Sequence, residues 1–207
     1  MKTSHAELEI SSVPPLLTDT GHDAPFVLDD GTVACTRTAV VEDYPLVDDL
    51  HTRCSTASLA RRYGARRPGF SVAEWQRMVN SPRSRVLLVT PDQSDHVVAM
   101  ASMVERSNAP EMCDMAMLIA DRPPDAYQSR GLGTRLADLV ADLAREAGFK
   151  FLAVTSLWTN WRMLLIVEHL GGPVLPQTSY VRNMALLGLL PNAGLDVADE
   201  IDLRIAL

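Results

Sequence analysis

The run Tyr127-Gln128-Ser129-Arg130-Gly131-Leu132-Gly133-Thr134 stands between an apolar stretch and the strongest amphipathic pattern in the chain. Glycine at 131 and 133 removes side chains where a backbone must approach something closely. The first-turn N–H groups of the helix that follows have no internal acceptors, and the helix dipole favours an anion at that end. Arg130 adds a cation beside it. These residues have the makings of a pyrophosphate cradle. The run is no Walker loop, because Gly-Lys-Ser/Thr is missing, and no Rossmann fingerprint, because the third glycine is out of place. A GxG by itself also reads as a tight turn from strand to helix.

The elements around it follow from periodicity. Val33, Cys35 and Val40 bracket a β-branched run that reads as a strand, after which Glu42, Asp43 and Pro45 open a helix with Leu46, Val47 and Leu50 on one side. Ser55 caps a second short helix with Leu59 buried. Ser71 and Glu74 form a capping box on a third, where Trp75 and Met78 lie three apart. RVLLVT and HVVAMASMVE read as a hairpin around residues 91–95, and MCDMAMLIA as a further strand after the Asn108-Ala109-Pro110 break. Leu132, Leu136, Val140 and Leu143 mark an amphipathic helix that ends at Gly148. FKFLAVTSLW reads as a buried strand and NWRMLLIVEHLGG as a helix. VLPQTSYVRNMALL and EIDLRIAL each supply a candidate strand. The expectation is one mixed α/β domain over 32–207, preceded by a flexible arm over 1–31 rich in Pro, Ser, Thr and Asp.

With 207 residues, 47% hydrophobic and 22% charged, the composition excludes a mainly disordered, collagenous or disulfide-built chain. A net charge of −7 argues against nucleic-acid or anionic-membrane partners. No apolar run approaches the ~20 residues of a membrane span, and the first ten residues lack a signal-peptide pattern. Cys35, Cys54 and Cys113 show no ligand spacing and read as small buried hydrophobes in a reducing compartment, the cytoplasm by default. His51, His96 and His169 show no metal spacing either, so no metal is expected. Arg61, Arg62, Arg66 and Arg67 make a basic patch, suited to a phosphate or a partner, although a solvated helix face is the plainer reading.

Gln128, Gly131 and Gly133 match Q/R-x-x-G-x-G/A, and the chain there resembles the acetyl-CoA signature of the GCN5-related N-acetyltransferases (GNAT). Asn160, Met163 and Leu170-Gly171 resemble the N-x-x-[AM]…LG segment of the same family, so the likeness covers about residues 32 to 172. STASLARRY and EDYPLVDDLH are similar, less specifically, to the bacterial protein-lysine acetyltransferase branch. The resemblance implies a mixed, mostly antiparallel twisted sheet flanked by helices, and acetyl transfer from acetyl-CoA, a cosubstrate, to a primary amine. The acceptor is a small amine, a protein lysine or an N-terminus, attacking directly in a ternary complex. Gln128, Ser129, Arg130, Gly131, Leu132, Gly133 and Thr134 then hold the pyrophosphate. The strand from 114 to 120 splays from its neighbour to admit the pantetheine arm, with a backbone N–H near Met117, Leu118 or Ile119 on the thioester carbonyl. Asn160 is a helix N-cap, a partner of the CoA chain, or both. Trp158 and Trp161 wall an acceptor channel or pack.

An amine must be neutral to attack, so a base is needed. Asp114 interrupts an apolar strand on the face of Ala116 and Leu118, where protein-acetylating relatives often carry glutamate. It serves as base through water, or is a strand-edge carboxylate facing solvent. Glu105 is the reserve base, and Glu111 a loop charge. Val167 stands where many relatives place a general-acid tyrosine, which leaves Tyr180 or solvent to protonate the thiolate. That departure, and the DRPPD insertion before Tyr127, motivate the competing reading, a non-catalytic acyl-CoA-binding or sensing module. The resemblance leaves a homodimer open.

Overall fold

Short β-branched and apolar runs pair in strict chain order: tight connections join β1 to β2, β3 to β4 and β4 to β5 as antiparallel neighbours, and longer connections precede β3, β6 and β7. A computed structural model describes residues 25–63, 67–92, 94–124, 126–157, 160–173 and 200–207. Strands β1 (Pro25–Val27), β2 (Val33–Thr38), β3 (Ser84–Pro91), β4 (Ala99–Arg106), β5 (Ala109–Ile119), β6 (Phe151–Leu157) and β7 (Glu200–Ala206) form one sheet in the order β1-β2-β3-β4-β5-β6-β7. Only β5 and β6 run parallel, since α4 (Leu132–Glu146) crosses between them.

Helices α1 (Tyr44–Thr52), α2 (Thr56–Tyr63) and α3 (Val72–Val79) lie on one face, and α4 and α5 (Trp161–His169) on the other. Strand alternation sorts the core in two. Leu136, Ala137, Val140 and Ala144 of α4 pack with Ala101, Met103, Cys113 and Met115 on one face. Val47, Leu50 and Trp75 pack with Val86, Leu88, Met100 and Leu118 on the other. The expected caps form: Ser71 Oγ accepts from Glu74 N–H at 3.3 Å, and Gly148 takes φ +78° after α4. None of the helices among the described residues is long and apolar enough to cross a membrane.

Three expectations need correction. Residues 25–27 lie within the expected arm, yet they pair with β2. Cys35 is exposed because Ala34 and Thr36 take the inward positions of β2, while Cys54 and Cys113 are buried. Burial pushes both of those thiols up to about 12, which leaves them unreactive. The break at 108–110 is no break: β4 turns directly into β5, and a register shift at Glu105/Arg106 absorbs Pro110 near the strand start. The candidate strand VLPQTSYVRNMALL lies outside the described residues.

His51 on α1 is buried, bonded through Nδ1 to the Val47 carbonyl at 2.5 Å and through Nε2 to the Tyr63 hydroxyl. Burial holds its pKa below the ordinary 6.5. The unfolded chain therefore binds this proton more readily, so stability present above pH ~6.5 is lost as pH falls through the window beneath it. We expect the melting temperature to drop from pH 7.5 to pH 5.5, and His51→Gln to flatten that slope in a thermal melt.

Candidate functional site

β5 and β6 pair only across residues 112–114 and 151–153. Beyond Asp114 and Ala153 the strands part, and a cavity of about 430 Å³ opens between residues 115–119 and Thr155 and Ser156. Its far wall is the 127–134 loop and the start of α4. The near rim is Ser58, Arg61 and Arg62 of α2 with Trp161 and Arg162 of α5.

Ladder geometry decides which backbone groups face the opening. Ala120 N–H donates to the Val98 carbonyl at 2.9 Å, and the register runs unbroken to Asp114↔Val104. Hydrogen-bonded pairs alternate in an antiparallel ladder, so residues 116 and 118 bond to β4. Met117 and Ile119 therefore turn their N–H groups toward the gap. The Ile119 carbonyl on that edge accepts from Gln128 Nε2 at 3.3 Å.

The loop enters α4 through two left-handed positions, Ser129 at φ +63° and Gly131 at φ +78°. Arg135 N–H makes the first intrahelical bond, to the Gly131 carbonyl, so the N–H groups of Leu132, Gly133 and Thr134 have no acceptor within the helix. A Cβ at Gly133 would stand 3.0 Å from Ile166 Cδ1 and 3.8 Å from Met117 Sδ, which makes this glycine the clearance between helix and gap. A Cβ at Gly131 would strike Asp29 Oδ1 at 2.7 Å.

Gln128 joins the loop to α2. Its Nε2 donates to Ser58 Oγ at 3.1 Å, and Ser58 Oγ donates to Asp121 Oδ2 at 2.7 Å. Asp121 also accepts from Ser55 N–H and Oγ, both at 2.6 Å. Asp121→Ala is expected to lower stability by about 1–2 kcal/mol, read from a denaturant melt, through the lost cap and the stranded Ser58 hydroxyl.

The structure brings most of the expected cofactor residues together and separates the expected bases from them. Leu118, Ile119, Gln128, Ser129, Gly131, Gly133, Thr134 and Asn160 line the cavity. Leu132 is a core side chain that offers only its backbone N–H. Arg130 is engaged, bonded to Asp30 Oδ2 at 2.7 Å and stacked on Tyr127 at 4.5 Å, and it clips the loop to the β1–β2 turn. Asn160 heads α5 without a side-chain cap bond, which leaves its amide to the cavity.

Asp114 marks the vertex of the splay and does not line the opening. Arg106 Nε donates to it at 2.8 Å, while the other arms of the same guanidinium hold Asp202 at 2.8 and 2.9 Å. Glu105 is paired with Arg83 at 3.0 Å, away from the gap. Val167 is fully buried between the helices and β7. Tyr180 and Trp158 lie outside the described residues. Among the described residues no group of His, Cys, Asp and Glu could hold a metal.

Sequence reasoning missed Asp29, which lay in the presumed arm, and Arg162, Thr155 and Ser156, which only the splay exposes. It also merged Arg61, Arg62 and Arg67, which the fold separates, with Arg66, which lies outside the described residues. Arg67 pairs with Glu74 at 2.8 Å, whereas Arg61 and Arg62 turn into the cavity.

A seven-stranded sheet parted beside a glycine loop can be compared with solved structures. The GNAT domain of PAT from S. lividans superposes with a TM-score of 0.69 at 21% identity, over 89% of this chain and 96% of that one. The fold is the GNAT fold. A GNAT-family acetyltransferase from Streptococcus pneumoniae shares it at a TM-score of 0.59 and 15% identity, over 84% of this chain and 99% of that one. So does yncA from Salmonella typhimurium, solved with its cofactor acetyl-CoA, at 0.60 and 16%, over 84% of this chain and 93% of that one. No protein-family model matches the sequence. In GNAT terms, the expected mixed sheet, the splay and the helix that receives the glycine loop are all present.

Proposed function

We propose that this chain transfers an acetyl group from acetyl-CoA to a primary amine by direct attack in a ternary complex. One observation carries the reading: the gap between β5 and β6 runs directly onto the N-terminus of α4, with Gly133 holding it open. A diphosphate fits there because the N–H groups of Leu132, Gly133 and Thr134 lack helical acceptors, with Asp29 bounding the cradle on the Gly131 side. The free edge of β5 accepts the pantetheine amides, and Asn160 supports them from the other side.

Acetyl-CoA supplies an activated acetyl carbonyl when bound. Met117 N–H faces the gap, and in this reading it donates to that carbonyl and stabilises the developing oxyanion. The amine nitrogen bonds to the carbonyl carbon, the C–S bond breaks, the thiolate leaves, and the amine proton passes to water. Asp114 and Glu105 are both tied to arginine and set back from the cavity, so neither serves as the base in this reading. Asp114→Asn is therefore expected to leave the pH–rate profile unchanged and kcat within about twofold, since exposed ion pairs contribute little.

Calorimetry with acetyl-CoA, followed by CoA release across an amine panel, tests the proposal. Val167, an aliphatic core residue at the general-acid position, favours one rival, an acyl-CoA-binding module. Binding without amine-stimulated CoA release would establish that rival.

A further inference from the structure

Three arginines meet at the near rim of the cavity, Arg61 and Arg62 from α2 and Arg162 from α5. Among the described residues none of them is paired with a carboxylate. Arg62 is the most constrained. Its guanidinium stands 5.1 Å from the Tyr63 ring centroid and 6.0 Å from that of Phe70, and one arm donates to Ser102 Oγ at 3.2 Å. Its Nε is shut from solvent with no hydrogen-bond partner. Burial pushes the pKa of Arg62 and of Arg162 down, and the neighbouring Arg61 adds to the effect at Arg162. Asp121 offsets part of the effect at Arg162, whereas no carboxylate does so at Arg62, and a guanidinium desolvated in that way is an arrangement that an anion relieves.

The position of this charge is informative. Ser102 Oγ, which Arg62 holds, donates in turn to the Ala116 carbonyl at 3.3 Å. That carbonyl belongs to the peptide whose N–H is Met117's. Arg62 thus lies two hydrogen bonds from the group assigned to the thioester carbonyl, on the α1–α3 face. The diphosphate cradle is reached separately, through Gln128 and Gly131. Asp29, the one carboxylate among the described lining residues, stands at the cradle and not among the arginines.

We propose that the acceptor is a small amine carrying a carboxylate a few bonds from its nitrogen, as in an amino acid, and that Arg62, with Arg61 and Arg162, binds that carboxylate. The inference rests on the acetyl-transfer reading. Planar guanidinium groups suit a carboxylate bidentately. The same cations disfavour a protonated amine beside them, which favours the neutral nucleophile in a site whose carboxylates are set back.

The test measures CoA release with β-alanine, 4-aminobutyrate and glutamate against ethylamine, propylamine and the corresponding amides, together with calorimetry of acetyl-CoA. The expected result is a kcat/KM at least tenfold higher for the carboxylate-bearing member of each pair. Arg62→Gln should collapse that ratio toward one, with acetyl-CoA affinity unchanged, and Arg62→Lys should keep part of it. Arg162→Gln provides the same comparison should the Arg62 variants fail to fold. Neutral amines or a lysine peptide turned over as well as the acids would overturn the proposal and leave acetyl transfer standing. Arg62→Gln weakening acetyl-CoA itself would also overturn it, by placing the cofactor on that charge. Acetyl-CoA unbound, or bound with no amine in the panel turned over, sinks the acetyl-transfer reading and this proposal with it.

Discussion

Met117→Pro is expected to lower kcat by about 10²–10³-fold, the usual effect of deleting one oxyanion donor. Acetyl-CoA affinity should fall too, because the ring's Cδ takes the place of the N–H in the gap, so kcat is read at saturating acetyl-CoA. For the fold the substitution is clean because of the ladder parity at this position. Met117 N–H faces the gap, so its loss breaks no bond to β4, and proline is tolerated where a strand's N–H faces away from its neighbour. The preceding Ala116 is already extended, as a residue before proline prefers. Ala116→Pro is the contrasting variant. It removes a ladder bond in the centre of the sheet and should unfold the domain in a thermal melt. Single-turnover kinetics with calorimetry separate the two effects. A Met117→Pro protein that melts normally and retains its kcat would remove this N–H from the mechanism.

Gly133→Val is expected to weaken acetyl-CoA binding by about 10–100-fold, the range that 1–3 kcal/mol of overpacking produces. Even a Cβ there meets Ile166 and approaches Ile119 and Met117, the walls of the gap itself. The backbone at 133 is ordinary helix, so the substitution adds bulk without left-handed strain and the fold should persist. Gly131 differs. At φ +78° any side chain is strained, and its Cβ also strikes Asp29, so Gly131→Ala mixes backbone and steric effects. The informative comparison is the calorimetric Kd of Gly133→Val against its melting temperature. A lost affinity at an unchanged melting temperature is the expected pattern.

Local signals carried the parts of the fold that local physics determines. The heptad-like spacing of Leu132, Leu136, Val140 and Leu143 is the buried face of α4, and the Ser71/Glu74 box starts α3 where its chemistry requires. The GxG loop was readable because Gln128 and the Asn160, Met163 and Leu170-Gly171 segment accompany it in the GNAT pattern; by spacing alone it is equally a tight turn. What the sequence did not reveal depends on partners distant along the chain. Asp114 does take the face shared with Ala116 and Leu118, but its neighbour Arg106 and the distant Asp202 decide its chemistry. Arg62 and Arg67 are alike by composition; Arg67 meets Glu74 of α3 and Arg62 a cavity that exists only because β6 leaves β5. Asp29 was invisible because three residues of β1 are too short to show a period.

The grip of Arg106 on two carboxylates has a mechanical side. It fastens β4 and β5 to β7, which pairs along the whole of β6. The angle at which β6 diverges is thus braced from outside by the last strand, at the very point where divergence begins. The aperture proposed to admit a thioester arm is set by residues that do not line it, and loosening Asp202 would let the opening drift without altering any surface that lines the cavity.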